Sequence, residues 1–517
     1  MPEIVLSTLN ARFIHPSFGL RYLLANLGDL QPRACLLEFD IAQRPVDIAE
    51  RILREAPRIV GLGVYIWNVA PMRELVATLK TLRPDITLIL GGPEVSYEIG
   101  DQPIVQLADF VITGEADFKF AEVCRDILAG NPPAQKVIAA EPPDLAQVAL
   151  PYELYTEADL AHRVVYVEAS RGCPFSCEFC LSSLDVPVRQ IPLPPLFESL
   201  QRLLERGARQ FKFVDRTFNL NPEASRAVLE FLLERGRSDT FFHFEVVPDR
   251  LPESLRKVIA RFPPGTLQLE VGIQTFNEQA ADLVNRRQTN PRVEETLRFL
   301  RQSTGSHIHA DLIAGLPGED LASFAAGFDR LVALHPQEIQ VGLLKRLRGA
   351  PIARHDSGWR MRYNPNPPYE ILENTLIDFS TMQKIRRFAR HWDLVGNSGN
   401  FVETTPLIWS GDKSAFAGFL RWSEWLHERV GRTDSIALVR LMHLLFRYLC
   451  DEVRLDPTAA ANALWHDYLR GGRKDKPSFL KDFLPNDGRT SGTHTAGAGL
   501  KRQARFAGTA HPLDPAP

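Results

Sequence analysis

The sequence predicts an α/β protein in three folded parts: an N-terminal doubly wound domain, a central (β/α)6 partial barrel and a C-terminal mainly helical domain, with a disordered tail behind them. Three observations predict it. The 517 residues exceed one ordinary core, and at about 150 residues per domain they suggest three units. Short runs rich in Val, Ile and Leu alternate with amphipathic stretches in two successive series. Past residue 346 the alternation gives way to long helix-like stretches.

The first series places buried strands at residues 4–9, 34–39, 59–65, 86–90 and 110–113, with helical patterns at 17–30, 45–54 and 71–82 between them. Short apolar runs ended by turn residues and joined by helices make a parallel, Rossmann-like sheet over residues 1–140, whose ligand site lies at the carboxyl ends of its strands. Three loops at those ends stand out: Tyr65-Ile66-Trp67-Asn68, Gly91-Gly92-Pro93-Glu94-Val95-Ser96 and Gly114-Glu115. Glycines there let a ligand approach the backbone, although any one of them could simply serve a tight turn.

Residues 141–163 are Pro-containing and read as a linker. The second series, 164–345, has strands expected at 164–169, 211–215, 242–246, 267–273, 308–313 and 338–343, enough for a partly closed parallel barrel. Helices are expected through 346–484, where Phe388, Trp392, Phe401, Trp409, Phe416, Phe419, Trp422 and Trp425 recur at spacings better suited to a core than to a substrate pocket. Residues 485–517, rich in Gly, Ser, Thr, Ala and Pro, read as the tail.

The net charge of −3 leaves no electrostatic footprint for nucleic acid. The start, Met1-Pro2-Glu3-Ile4-Val5, lacks a basic segment followed by an apolar one, and no run approaches the roughly 18 apolar residues of a membrane span. A cytoplasmic protein with no membrane partner is expected. Six cysteines, three of them clustered, suit a reducing compartment.

Those three stand as Cys173-x3-Cys177-x2-Cys180, directly after the first barrel strand. Three thiolates can hold three irons of a four-iron cluster and leave the fourth open to a small molecule. A structural zinc site would want a fourth Cys or His nearby, and none follows within ten residues; a disulfide framework would want an even count. The scattered Cys35, Cys124 and Cys450 read as buried thiols.

With this triplet at the loop edge of a partial barrel, the chain resembles the radical S-adenosylmethionine enzymes. The residues Gly272-Ile273-Gln274-Thr275-Phe276-Asn277, Asn285-Arg286-Arg287-Gln288 and Asp311-Leu312-Ile313-Ala314-Gly315-Leu316-Pro317-Gly318 are similar to signatures of the oxygen-independent coproporphyrinogen dehydrogenase branch. The resemblance implies a [4Fe-4S] cluster on Cys173, Cys177 and Cys180, with S-adenosylmethionine on the open iron, split by one electron to a 5'-deoxyadenosyl radical. It places Phe179 against the adenine, Gln274 and Asp311 on the ribose hydroxyls, and Glu245 and Arg286 on the charged methionine end. A Gly-Gly-Glu expected after the second strand is replaced by Val214-Asp215-Arg216-Thr217-Phe218-Asn219, so Asp215 or Asn219 would have to meet the amino group. An electron donor of flavodoxin or ferredoxin type is implied as partner.

The α/β domain ahead of such a barrel looks like the cobalamin-binding module of the class that fuses the two. The Asp-x-His-x-x-Gly signature of an axial histidine is missing, and the resemblance implies cobalamin without a protein histidine on cobalt. Tyr65, Trp67 and Asn68 would lie near its lower face, with Gly91, Gly92, Glu94, Ser96, Gly114 and Glu115 around the corrin edge or nucleotide tail; Arg12 and His15 lie in a loop at the same edge. The activity expected is methylation of an unactivated carbon or phosphorus centre in a small-molecule or peptide substrate. The alternatives are cyclisation or rearrangement without methyl transfer, and a cobalamin or cluster sensor that is not an enzyme. A methylthiotransferase would need three further N-terminal cysteines, where only Cys35 and Cys124 stand.

Overall fold

The computed structural model describes residues 2–185, 187–473, 475–484 and 501–506. The chain divides into two compact units: Met1–Arg216 with Lys345–Ala353 and Asn364–Glu370, and Thr217–Leu344 with Arg354–Tyr363 and Ile371–Pro517.

In the first unit β1 (Ile4–Asn10), β2 (Ala34–Asp40), β3 (Ile59–Gly63), β4 (Thr87–Gly91), β5 (Phe110–Thr113) and β6 (Val137–Ala139) form one sheet in the order β2-β1-β3-β4-β5-β6, parallel throughout. Side chains alternate across β1, so Ile4 and Leu6 enter a core with Leu20, Ile89, Ile112 and Phe120, while Val5 and Leu9 enter a second with Ile52, Leu62, Met72 and Leu75. Both faces are therefore covered, and the order reverses between β1 and β3, where open α/β sheets bind ligands at the carboxyl ends. The short edge strand β6 lies in a stretch expected to be loop; three residues carry too little periodicity to be read alone.

The 141–163 stretch is more ordered than a linker. Tyr152 and Tyr155 are fully buried, and Thr156 opens the helix Glu157–His162 with a capping box to Asp159. Asp159 also joins Arg21, Glu38 and Arg163 in a buried ion cluster whose members come from distant parts of the sequence. The unit then adds β7 (Val165–Val167), an antiparallel pair of two-residue strands, β8 (Ser170–Arg171) and β9 (Arg189–Gln190), and β10 (Gln210–Phe213), parallel to β7.

The second unit carries β11 (Phe241–Val246), β12 (Leu267–Gln274), β13 (His307–Ala314) and β14 (Glu338–Leu343), parallel neighbours in that order. Phe242, Phe244, Leu269, Val271, Ile308 and Ala310 are buried, whereas His243, Glu245, Glu270, His309 and Asp311 share the other face through the registers Glu245↔Glu270, Glu270↔His309 and Gly272↔Asp311. Asn397 closes the outer edge of β14, its amide accepting from Ile339 N at 2.8 Å and donating to Ile339 O at 2.9 Å.

The helices Phe379–Leu394, Ala415–Val430 and Pro457–Arg470 each begin at a side-chain cap, Asp378, Ser414 and Asp456. Phe388, Phe401, Phe416, Phe419 and Trp422 are all but fully buried, and Phe388 meets Phe416 at 4.7 Å and Phe419 at 5.2 Å between ring centres. The aromatic run is core, as its spacing predicted. Within the tail, residues 485–500 and 507–517 lie outside the described residues, but Lys501–Ala504 form a helical turn, contrary to the expectation of disorder.

Candidate cofactor sites

The three cysteines lie in the loop between β8 and β9, Cys173 and Cys177 buried and Cys180 half-buried. The loop is pinned at its start: Cys173 N donates to Asp185 O at 2.9 Å, and a Cβ on Gly172 (φ +94°) would stand 2.8 Å from the carbonyl oxygens of Asp185 and Pro187. Only glycine fits there. Cys180 N donates to Cys177 O, and Ser183 Oγ to Cys180 O, which turns the last cysteine back toward the second. Among the described residues no three His, Cys, Asp or Glu side chains converge as one ion would require. A four-iron cluster makes no such demand, because each thiolate takes its own iron, and three cysteines in one shielded loop fit that group.

Asp215, expected near the amino group of the ligand, instead braces the entry to this loop. Its buried carboxylate accepts from Ala169 N at 3.0 Å and Ser170 Oγ at 2.6 Å, and burial pushes its pKa up to about 6. Asn219 is likewise spent on the backbone, donating to Val247 O and Arg250 O and accepting from Val247 N.

A cleft of about 380 Å³ opens at the carboxyl ends of β3, β4 and β5. Its floor is apolar and glycine-rich, made by Gly61, Gly63, Gly91, Gly92, Gly114, Ile112 and Phe120, with Phe18, Tyr22 and Tyr65 as aromatic walls. A Cβ at Gly92 would stand 2.5 Å from Val64 O, so the loop after β4 can lie flat only with glycine there. The rim is charged: Glu115, Asp117, Glu168, Arg171 and Asp185. An apolar slot for a flat ring system, with charged and backbone groups for peripheral amides, fits cobalamin.

The remaining residues expected at the corrin divide. Tyr65 lines the cleft and stacks on the half-exposed Trp67 at 4.4 Å with a 5° interplanar angle. Asn68 is fully buried and holds the loop, donating to Thr8 Oγ1, Leu9 O and Gly63 O and accepting from Tyr65 N. Ser96 Oγ donates to Gly92 O. The carboxylate of Glu94 accepts from Arg348 Nε at 2.9 Å and Tyr369 OH at 2.6 Å, which ties residues 345–353 and 364–370 to the loop after β4. Arg12 and His15 are not among the residues lining the cleft; His15 Nδ1 meets Tyr166 OH at 2.8 Å.

The group that sequence reasoning missed is Arg171. Two residues before Cys173, its guanidinium meets Glu115 at 2.7 Å, Asp117 at 2.8 Å and Glu168 at 2.8 Å, and lies 4.6 Å from the Tyr22 ring centre. Arg189, its partner across the β8–β9 pair, also binds Glu115. The two arginines hold Glu115 below its ordinary pKa against the effect of burial, whereas burial pushes Glu168 up to about 7. Arg171, Gly172, Ser182 and Asp185 belong to the cysteine loop and also line the cleft, so the two sites share a wall. The one sequence signal was an arginine beside the motif.

In the second unit Glu245 and Gln274 stand at the carboxyl ends of β11 and β12, and Asp311 lies within β13 beside Gly272. Gln274 sits at a register shift with φ +72°, a strained backbone for a residue other than glycine. Arg286 donates to Gly272 O and, at 3.3 Å, to Gln288 Oε1, and Gln288 in turn donates to Thr275 O at 2.8 Å. Phe179 is half-buried two residues past Cys177.

Thr275 donates to the buried Glu319 at 2.6 Å, and burial pushes that carboxyl from about 4.5 up to about 7. A folded-state pKa above the unfolded one means the folded chain holds the extra proton between those values, so stability falls as pH rises through the window. Glu319→Gln keeps the acceptor and removes the titration. It is expected to leave thermal stability unchanged near pH 4 and to raise it at pH 8 by up to ~3 kcal/mol; an equal effect at both pH values in calorimetry would contradict this.

Comparison with known proteins agrees with this layout. Residues 4–123 match the B12 binding domain, 167–331 the radical SAM superfamily, and 357–506 DUF4080, a protein domain of unknown function. The chain is 23% identical over 371 residues to the 2-(S-pantetheinyl)-carbapenam-3-carboxylate methyltransferase of Streptantibioticus cattleyicolor, covering 63% of this chain and 54% of that one. It is 23% identical over 489 residues to the cobalamin-dependent radical SAM methyltransferase TokK of Streptomyces tokunonensis, covering 82% and 70%. The chain thus spans about half the length of the first of these relatives. In fold it is similar to the cobalamin-dependent S-adenosylmethionine radical enzyme OxsB, with a TM-score of 0.62 and 12% identity over 91% of this chain and 83% of that one. No helix among the described residues is long and apolar enough to cross a membrane. The cofactor set that goes with these domains is a [4Fe-4S] cluster, S-adenosylmethionine and cobalamin, and the chain is a cobalamin-binding-domain radical S-adenosylmethionine protein ending in a domain of unknown function.

Proposed function

We propose that the protein methylates an unactivated centre of a small molecule or peptide, with S-adenosylmethionine as methyl source. The observation that carries this reading is the shared wall: the loop bearing Cys173, Cys177 and Cys180 also lines the cleft proposed for cobalamin through Arg171, Gly172, Ser182 and Asp185. When bound, the cluster supplies the electron that splits S-adenosylmethionine, and cobalamin carries the methyl group.

The chain's own residues do the holding. Cys173, Cys177 and Cys180 would ligate the cluster and leave one iron for the ligand's amino and carboxylate groups. Glu245 and Arg286 would meet that charged end, Gln274 and Asp311 the ribose, and Phe179 the adenine. Tyr65 and Trp67, with the backbones of Gly91, Gly92 and Gly114 and the carboxylate of Glu115, would border the corrin. A reducing compartment and a flavodoxin- or ferredoxin-type donor would deliver the electron.

The test is product analysis on anaerobically reconstituted full-length protein supplied with reductant and candidate substrates. Methylation requires S-adenosylhomocysteine and 5'-deoxyadenosine together. 5'-Deoxyadenosine alone with turned-over substrate would replace the reading by cyclisation or rearrangement, and no cleavage with an intact cluster would leave a sensor.

A further inference from the structure

The floor of the second unit's strand run, at the end opposite Gln274, holds a feature that methyl transfer does not use. The amino ends of β12, β13 and β14 present Gln268, His307 and Glu338, all at least 95% buried. His307 Nε2 meets Glu338 Oε1 at 2.9 Å, and further along the same face His309 meets Asp311 at 3.3 Å and His243 meets Glu270 at 2.8 Å. These histidines and carboxylates form a polar row along one face of the sheet.

That end is covered by residues 502–506. Arg502 reaches Glu338 Oε2 at 3.0 Å and is clamped from outside by Asp393 at 2.7 Å and the carbonyl oxygen of Asn397 at 2.6 Å. Gln503 donates to Gln268 at 2.8 Å, and the ring of Phe506 meets His307 edge-on at 5.4 Å. Gly399 provides the notch: a Cβ there would stand 2.8 Å from Arg505 Cβ and 3.1 Å from the Phe506 ring. The buried carboxylate of Glu338 calls for a cation, and Arg502 brings one.

We propose that this end of the strand run is a peptide-binding site whose occupant is the chain's own Arg502–Phe506 segment, seated as a removable plug over the histidine and carboxylate row. The segment's internal support is slight, one turn closed by Arg505 N to Arg502 O at 3.1 Å and Phe506 N to Gln503 O at 3.0 Å, so most of its hold comes from the site rather than from itself. The DUF4080 match runs to residue 506, the last residue of the plug.

The inference is independent of the methylation reading and is tested on the full chain without substrate. Carbethoxylation of His307, followed by mass spectrometry, is expected to be slow in the native chain and roughly tenfold faster in Arg502→Glu/Phe506→Ala. A synthetic acetylated peptide of residues 501–506 should restore protection in that variant, and a scrambled peptide should not. Equal labelling of native chain and variant, or a peptide without effect, overturns the proposal. Because the double variant could misfold, a benzoylphenylalanine at position 506 in the otherwise native chain provides a second readout: illumination should join it to the segment around His307 in a product of single-chain mass. A link elsewhere, or a product of double mass, overturns it.

Discussion

Cys177→Ala is expected to abolish the cluster absorbance near 400 nm and to reduce S-adenosylmethionine cleavage more than ~100-fold, leaving corrin uptake intact. The reason is geometric. Cys177 is the buried middle cysteine of a loop that Gly172 and Asp185 pin to one shape, and no other cysteine lies within ten residues of the triplet to replace it. The corrin should remain because the variant leaves the glycine floor and the Tyr65 wall untouched. Iron and cobalt analysis of the same sample checks both halves; parallel loss of cobalamin would mean that the loop and the cleft fold as one inseparable unit.

Arg171→Met is expected to destabilise the first unit by about 3–5 kcal/mol, the cost of leaving buried carboxylates without their cation. Glu115, Asp117 and Glu168 all face that guanidinium, and Arg189 still reaches only Glu115. In the native chain Glu115 is held low by the two arginines, so its pairing contributes fully above its unfolded pKa and is lost as pH falls. The deficit of the variant should therefore be largest at pH 8 and shrink toward pH 4, where the orphaned carboxylates take up protons. Denaturation followed at both values checks this, and a deficit independent of pH would contradict the charge account. Since the same side chain lines the cleft two residues ahead of Cys173, the variant should also lower iron and corrin loading together.

Residues that stand out from their immediate neighbours were legible in the sequence as candidates. The cysteine triplet, the glycine loops after β4 and β5, and the carboxylates of Glu245 and Asp311 inside apolar strands all declare themselves within a few neighbours, because a charged group in a buried strand needs a reason. The apolar strands themselves emerged within a few residues of their observed ends. What stayed hidden depends on partners far along the chain. Glu94 looked like a ligand contact until Tyr369, 275 residues away, took its carboxylate. Arg171 draws its meaning from Glu115 and Asp117, more than fifty residues earlier. Asp215 looked like a substitute for a missing motif, yet it closes on the backbone of Ala169 and the hydroxyl of Ser170. The short segment at Arg502 reads as tail because one helical turn has no periodicity of its own, and only Glu338, Gln268 and His307 give it a place.

On the proposed function, one chain holds a reactive cluster and a corrin across a common wall. Anaerobic reconstitution with iron, sulfide and hydroxocobalamin, followed by metal analysis of the isolated protein, tests it most directly. About four irons and about one cobalt per chain are expected, with both falling in Arg171→Met and only iron falling in Cys177→Ala. Full iron loading with no retained corrin would contradict it.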